Sequence, residues 1–206
     1  MEIKDRSVYF CLTMTKAERT RQFIIEQSAP IFNRKGMAGT AVSDLMEATK
    51  LAKGGIYGNF ESKEEIGAEV FSYLSKGLFA RLESLASQDR SAPARMAALV
   101  DFYRTISTPG GCPLLNFGME ADDTNPLIRQ RVARQIEATQ GLFYRVLEEG
   151  RQRGEFRESL DARSFSVKMF ALIEGGIMLG CVQQDMTQLH LVLDLLEAEW
   201  QSYVVS

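Results

Sequence analysis

Six residues of binding chemistry fall within one stretch of eleven: Lys53, Gly54, Gly55, Tyr57, Asn59 and Lys63. Glycine inside a helix costs about 1 kcal/mol relative to alanine, and the segment AKGGIYGNFESKEE at 52–65 carries that cost twice in succession. Two missing side chains let a backbone come close to another surface. Lys53 sets a cation beside them, Tyr57 offers a hydroxyl, and Lys63 stands at the start of a following helix. Cations, hydroxyls and helix N-termini are the groups that hold phosphate oxygens, and base edges are read where backbone and short side chains reach them. The chemistry this set suits is contact with a nucleic acid.

Catalytic chemistry finds no comparable set. His190 is the single histidine and sits in a leucine-rich stretch, where it reads as structural. No phosphate-binding Walker loop and no HExxH pair is present. The three cysteines, Cys11, Cys112 and Cys181, are far apart and odd in number, so neither a disulfide framework nor a CxxC metal site follows from them. Glu120, Asp122 and Asp123 read as a solvated helix end. The expectation is therefore no enzyme, no cofactor and no metal. Free thiols fit a reducing compartment. The apolar run nearest the N-terminus, VYFCL at 8–12, is too short for a signal-peptide core or a membrane span, which points to the cytoplasm. Net charge is −3, so a basic surface must come from placement: residues 1–66 carry +1 and the rest −4.

The elements that must position these residues are helical. Leu, Ala, Glu, Arg, Gln and Met are plentiful in the 206 residues and strand-type runs are missing. Residues 1–15 lack a clear period and read as an arm. Phe23, Ile24, Ile31 and Phe32 give a helix from Lys16 to Lys35 that stops at Gly36, with a kink expected at Pro30. Thr40 is placed to cap a second, two-turn helix carrying Val42, Leu45, Met46 and Thr49 on one face. A third short helix starts near Ala52 with Ile56 and Phe60 turned inward. Ser62 and Glu65 form a capping-box pattern for a fourth. Longer helices follow after breaks at SQDRSAP, TPGGCP and Asn125-Pro126, near Gly154, and before Thr187. The predicted fold is all-α with about nine helices: an arm at 1–15, a three-helix helix-turn-helix domain at 16–65, and a larger helical bundle at 66–206.

The stretch RQFIIEQSAPIFNRKGMAGTAVSDLMEATKLAKGGIYGNFESKEEI resembles the DNA-binding domain of the TetR family of bacterial transcription regulators. The resemblance is close over residues 16–65, and PGGCPLLNFGMEADDTNP looks like the ligand-domain sequence of one branch. It implies a reader helix in the major groove, with Thr40, Ser43, Lys53, Gly54, Gly55, Tyr57, Asn59 and Lys63 at double-stranded DNA. Two positions depart from the family pattern. The turn between the second and third helices has Lys50 where glycine is usual, and Gly58 stands where a bulkier residue is common.

The resemblance further implies a ligand-released repressor, a homodimer on a palindromic operator, and a small-molecule effector held by the bundle. Candidate pocket walls are Phe102, Tyr103, Cys112, Phe117, Met119, Phe143, Met169 and Phe170, although core packing explains such residues equally well. Cys112 reads either as a sensing thiol on a pocket wall or as a small buried filler in a tight turn. Gly176 and Gly180, four apart, allow close helix packing. With Leu189, Leu193, Leu196 and Trp200 they form the expected dimer face. The alternative is a helical protein-interaction module that has lost sequence-specific DNA binding, a reading that rests on Lys50 and Gly58.

Overall fold

The computed structural model of the chain describes residues 14–105 and 110–205. The arm expected at 1–15 lies outside them except for Met14 and Thr15. Cys11 is outside as well, and so are Thr108 and Pro109 of the expected break. Among the described residues the chain forms nine helices and no sheet. Its packing divides it into two compact units, one ending at Tyr73 and one starting at Leu74.

The first unit contains α1 (Lys16–Gly39), α2 (Val42–Thr49), α3 (Lys53–Tyr57) and the start of α4 (Lys63–Ala86). Thr15 caps α1: its hydroxyl accepts the Glu18 N–H, and the Glu18 carboxylate accepts the Thr15 N–H at 2.7 Å, closing a capping box. Pro30 lies within α1 without any departure from helical dihedrals there. The break falls at Gly36, whose φ of 72° belongs to the left-handed region that glycine enters freely. Ile24, Phe32, Leu45, Ile56, Phe60, Ile66, Val70 and Phe71 make the core of this unit. α4 is packed into it by Ile66 and Val70, so the unit reaches past the boundary at 65 that the helix-turn-helix pattern suggested. Gly67 permits this contact, since a Cβ there would stand 2.0 Å from Met37 Sδ.

The second unit holds the rest of α4, α5 (Ala92–Thr105), α6 (Pro113–Ala121), α7 (Pro126–Gln152), α8 (Ala162–Gln183) and α9 (Thr187–Gln201). Its helix starts are written in the sequence. Pro113 and Pro126 occupy first-turn positions, where the missing N–H costs nothing. Asn125 Oδ1 accepts the Ile128 N–H, and Asp161 Oδ1 accepts those of Arg163 and Ser164. α7 gives way at Gly154, with φ 73°, and α8 at Gln184, with φ 54°. The core runs from Leu82 and Met96 through Leu99, Phe143 and Leu147 to Leu193 and Trp200. α8 is long and apolar enough to cross a membrane by length and composition. Its Phe165, Met169, Ile173 and Ile177 are part of this core.

One glycine fixes how α7 meets its neighbours. A Cβ on Gly150 would lie 2.5 Å from the Ala92 Cβ and 2.6 Å from the Phe156 ring. Ala92 has no rotamer through which to retreat. Gly150→Ala is expected to destabilise the protein by about 1–3 kcal/mol through overpacking, read as a lowered denaturation midpoint in urea with an unchanged slope.

Candidate functional site

The sequence set out above folds as a helix-turn-helix. α2 and α3 are joined by Lys50-Leu51-Ala52, and the turn is made by Lys50 itself, at φ 57° and ψ 21°. A non-glycine residue adopts this left-handed conformation at a cost of roughly 1–2 kcal/mol. Thr49 reinforces the turn from inside: its hydroxyl donates to the Leu45 carbonyl at 2.7 Å and accepts the Leu51 N–H. Leu45 and Ile56, both fully buried, hold the two helices in the core of the first unit. The departure at Lys50 therefore leaves the motif's geometry intact.

The outward face of this motif carries Ser43, Lys53, Gly54 and Gly55, all exposed, with Tyr57 half-buried beside them. The Lys53 ammonium sits 6.0 Å from the centre of the Tyr57 ring, one helical turn away. A Cβ placed on Gly54 meets nothing within 4 Å, and one on Gly55 makes ordinary contact with Leu51 at 3.6 Å. Their left-handed freedom is not used either, since positive φ among the described glycines occurs at Gly36, Gly110, Gly111 and Gly154. Nothing among the described residues requires these two side chains to be missing. Gly58 differs: a Cβ there would stand 3.1 Å from the Gly54 carbonyl oxygen, so its smallness serves the end of α3.

Three of the expected DNA residues are committed inside the fold. Thr40 is 1% exposed and does not cap α2; its hydroxyl donates to the Gly36 carbonyl at 2.6 Å. The capping of α2 comes instead from Asp44, whose carboxylate accepts the Ala41 N–H at 3.0 Å. That bond and the Lys35 ammonium at 2.8 Å hold the Asp44 carboxyl below its ordinary range, the lysine having the larger effect. The correction at Thr40 has a simple cause: a threonine two residues before a helix can close the preceding turn as well as open the next. Lys63 gives two of its three ammonium donors to the carbonyls of Met37 (2.7 Å) and Thr40 (3.0 Å), tying α4 to the end of α1. The Asn59 amide donates to the Gly55 carbonyl at 2.8 Å, closing α3.

Arg21 also belongs to the scaffold. Its guanidinium donates to the Asn59 carbonyl and the Glu65 carboxylate, each at 2.6 Å, and lies 4.1 Å from the centre of the Phe60 ring. Glu65 in turn accepts the Glu61 N–H at 2.7 Å and, with Arg21, is held below the usual carboxylate range. The Ser62 half of the expected capping box is present, as Ser62 Oγ accepts the Glu65 N–H.

The second unit holds a cavity of about 320 Å³ between α6, α7 and α8. Leu114, Leu115, Val132, Ile136 and Phe170 give it apolar walls, and Glu174 contributes a carboxyl group. Of the eight expected wall residues, Met119 and Phe170 line it. Tyr103, Cys112, Phe117, Phe143 and Met169 are core instead, and Phe102 packs against that core. Aromatic and methionine side chains mark a buried stripe, and a stripe does not distinguish filled space from empty space. Cys112 is 4% exposed, and burial, followed by the charge of Glu174, pushes its thiol well above the ordinary range. That is the filler reading rather than a reactive thiolate. Glu174 was legible as the one acidic residue in ALIEGGIMLGC at 171–181.

The expected dimer face is corrected as well. Gly176, Gly180, Leu189, Leu193, Leu196 and Trp200 are buried within the chain. The two glycines bring α9 and its lead-in against α8, since a Cβ would stand 3.0 Å from Leu189 Cδ1 and 2.4 Å from Met186 Sδ respectively. The stripe with the most regular apolar spacing faces the chain's own core. A second set is exposed on the same helices: Val167, Leu172, Met178 and Val182 on α8, and Leu191 and Leu195 on α9.

Known proteins match both units. The family model for the DNA-binding region of bacterial regulatory proteins of the tetR family matches residues 24–70, and that for the tetracyclin repressor-like C-terminal domain matches residues 92–196. The HTH-type transcriptional repressor DhaR of Mycobacterium sp. (strain GP1) is 29% identical over 164 residues, covering 77% of this chain and 80% of that protein. The crystal structure of a TetR-family regulator from Cytophaga hutchinsonii superposes with a TM-score of 0.87 at 34% identity, over 94% of this chain and 98% of that one. A TetR regulator from Chloroflexus aurantiacus gives 0.86 at 35%, over 93% and 98%. The helix-turn-helix, the bundle and these matches together place the chain in the TetR family of transcriptional regulators.

Proposed function

We propose that this regulator is a repressor that binds a palindromic operator as a homodimer in the cytoplasm and leaves it when a small molecule occupies the cavity of the second unit. The observation that carries the DNA contact is the glycine pair. Gly54 and Gly55 are exposed on the reader helix, and packing among the described residues gives no reason for them to lack side chains. Close approach by an outside surface supplies the reason. Ser43, Lys53 and Tyr57 stand around that bare backbone as the contacting groups. Lys63, Asn59 and Thr40 act behind them, holding α3 and the start of α4 in place. A palindrome needs two readers about one DNA turn apart, roughly 34 Å, and hence a two-fold dimer. The exposed apolar residues of α8 and α9 supply a face for it. The name of the Mycobacterium relative supports repression as the sign of regulation. Release then follows as a coupling between two sites, and it is reciprocal: operator weakens effector binding by the same factor.

The test is a titration of the purified protein against DNA flanking its own gene, with scrambled competitor, at two salt concentrations. Saturable binding should survive competitor. If six to ten phosphates are engaged, affinity should fall by roughly 10³ to 10⁵ between 50 and 200 mM salt. Absence of binding even at low salt would sink the reading and leave the protein-interaction module. That alternative rested on Lys50 and Gly58, and both residues fit an intact motif.

A further inference from the structure

The cavity between α6, α7 and α8 has mostly apolar walls, and the Glu174 carboxyl that borders it is incompletely partnered. Its Oε1 accepts a hydrogen bond from the Cys112 thiol at 3.2 Å, whereas its Oε2 is buried and has no partner among the described residues. A buried carboxyl oxygen without a donor costs far more than one that is satisfied. The groups that face it are acids. Cys112 comes from the start of α6 and Tyr103 from α5, and both are pushed well above their ordinary range by burial and by the charge of Glu174. Of the cavity's other charged groups, Asp122 stands at the end of α6. Arg129, from α7, turns its guanidinium toward the Asp122 carbonyl at 3.4 Å. Burial raises Glu174 to about 7, so near neutral pH it is poised between acid and carboxylate.

A cation that brings its own donors would satisfy this oxygen. We infer that the cavity takes a small apolar amine, whose ammonium group pairs with Glu174 while its hydrocarbon body lies against Leu114, Leu115, Val132, Ile136 and Phe170. As the identity of an effector, this rests on the reading that the cavity is the effector site; as a statement about binding, it stands on the cavity alone. The volume is at the small end of ligand pockets, which suits a chain of about eight carbons. A ligand carboxylate would meet like charge, and an alcohol would supply a donor without the charge.

The experiment compares three probes that differ only in head group, octylamine, 1-octanol and octanoate, by calorimetry with the full chain at pH 8 and pH 6. Octylamine should bind about tenfold tighter than 1-octanol at pH 8, and octanoate more weakly than either. Octylamine affinity should fall by about tenfold at pH 6, because Glu174 must then give up a proton to accept the ammonium. Octanol should show no such change. Glu174→Gln should abolish the amine preference and keep octanol binding, and Ala133→Phe, at the cavity wall, should weaken all three probes. Equal affinity for amine and alcohol, an amine preference that survives Glu174→Gln, or binding untouched by Ala133→Phe would overturn the inference. If Glu174→Gln fails to fold, the pH comparison on the unaltered protein decides. Operator release is read separately. Amine binding that leaves the operator bound upholds this inference and sinks ligand-released repression.

Discussion

Gly54→Ala is expected to stabilise the protein and to cripple it. Alanine at Gly54 meets no atom of the described residues within 4 Å and replaces the poorest non-proline helix former with the best, a gain of roughly 0.5–1 kcal/mol. The same methyl group stands on the exposed surface that we propose contacts the operator. We expect a loss of about 1–3 kcal/mol in specific binding, about ten- to a hundredfold, with little change in the salt slope, because no phosphate-binding charge is removed. Thermal or chemical denaturation and an operator titration on the same preparation check both signs. A variant that is more stable and binds equally well would show that the bare backbone is not the contact surface.

Val182→Glu combined with Leu195→Glu is expected to have the largest effect on DNA. Val182 is 76% exposed and Leu195 61%, so neither change removes core packing within the chain. In a two-fold interface each charge would be desolvated without a partner on both copies, at several kcal/mol per ion. The expected result in sedimentation is a folded monomer. Its affinity for a full palindrome should drop toward that for a half-site, by roughly a hundredfold or more, since the second reader no longer adds its contacts. Trp200→Ala would not serve, because Trp200 is 3% exposed and packs edge-on to Phe156 at 6.4 Å. A dimer that persists in the double variant would move the interface elsewhere.

The contrast between those two tests shows where the sequence was legible. Helix limits were readable wherever a cap or a glycine stop marked them, as at Gly36, Asn125, Gly154 and Asp161. The short third helix of the helix-turn-helix stood out because its oddity is local: two glycines where a helix should not have them. Face assignment was not. The stripe of Leu189, Leu193, Leu196 and Trp200 has the spacing of an interface and of a core alike, and periodicity does not say which partner a buried face meets. The cavity was illegible for a related reason. Phe143 and Phe170 are the same residue type on adjacent helices, yet one fills the core and the other bounds an empty volume. Lys63 and Thr40 show a third limit. A polar side chain near a predicted binding surface can spend its hydrogen bonds inward, and only the fold reveals the direction.

Trp200, the single tryptophan, lies in the second unit and is buried against Phe156. Intrinsic tryptophan emission is therefore a private channel to that unit. A fluorescence melt follows the bundle and is blind to the helix-turn-helix, whose loosening must be followed by far-ultraviolet dichroism or amide exchange. Where the two traces separate on heating, the protein melts in two steps, and a single melting temperature no longer describes it.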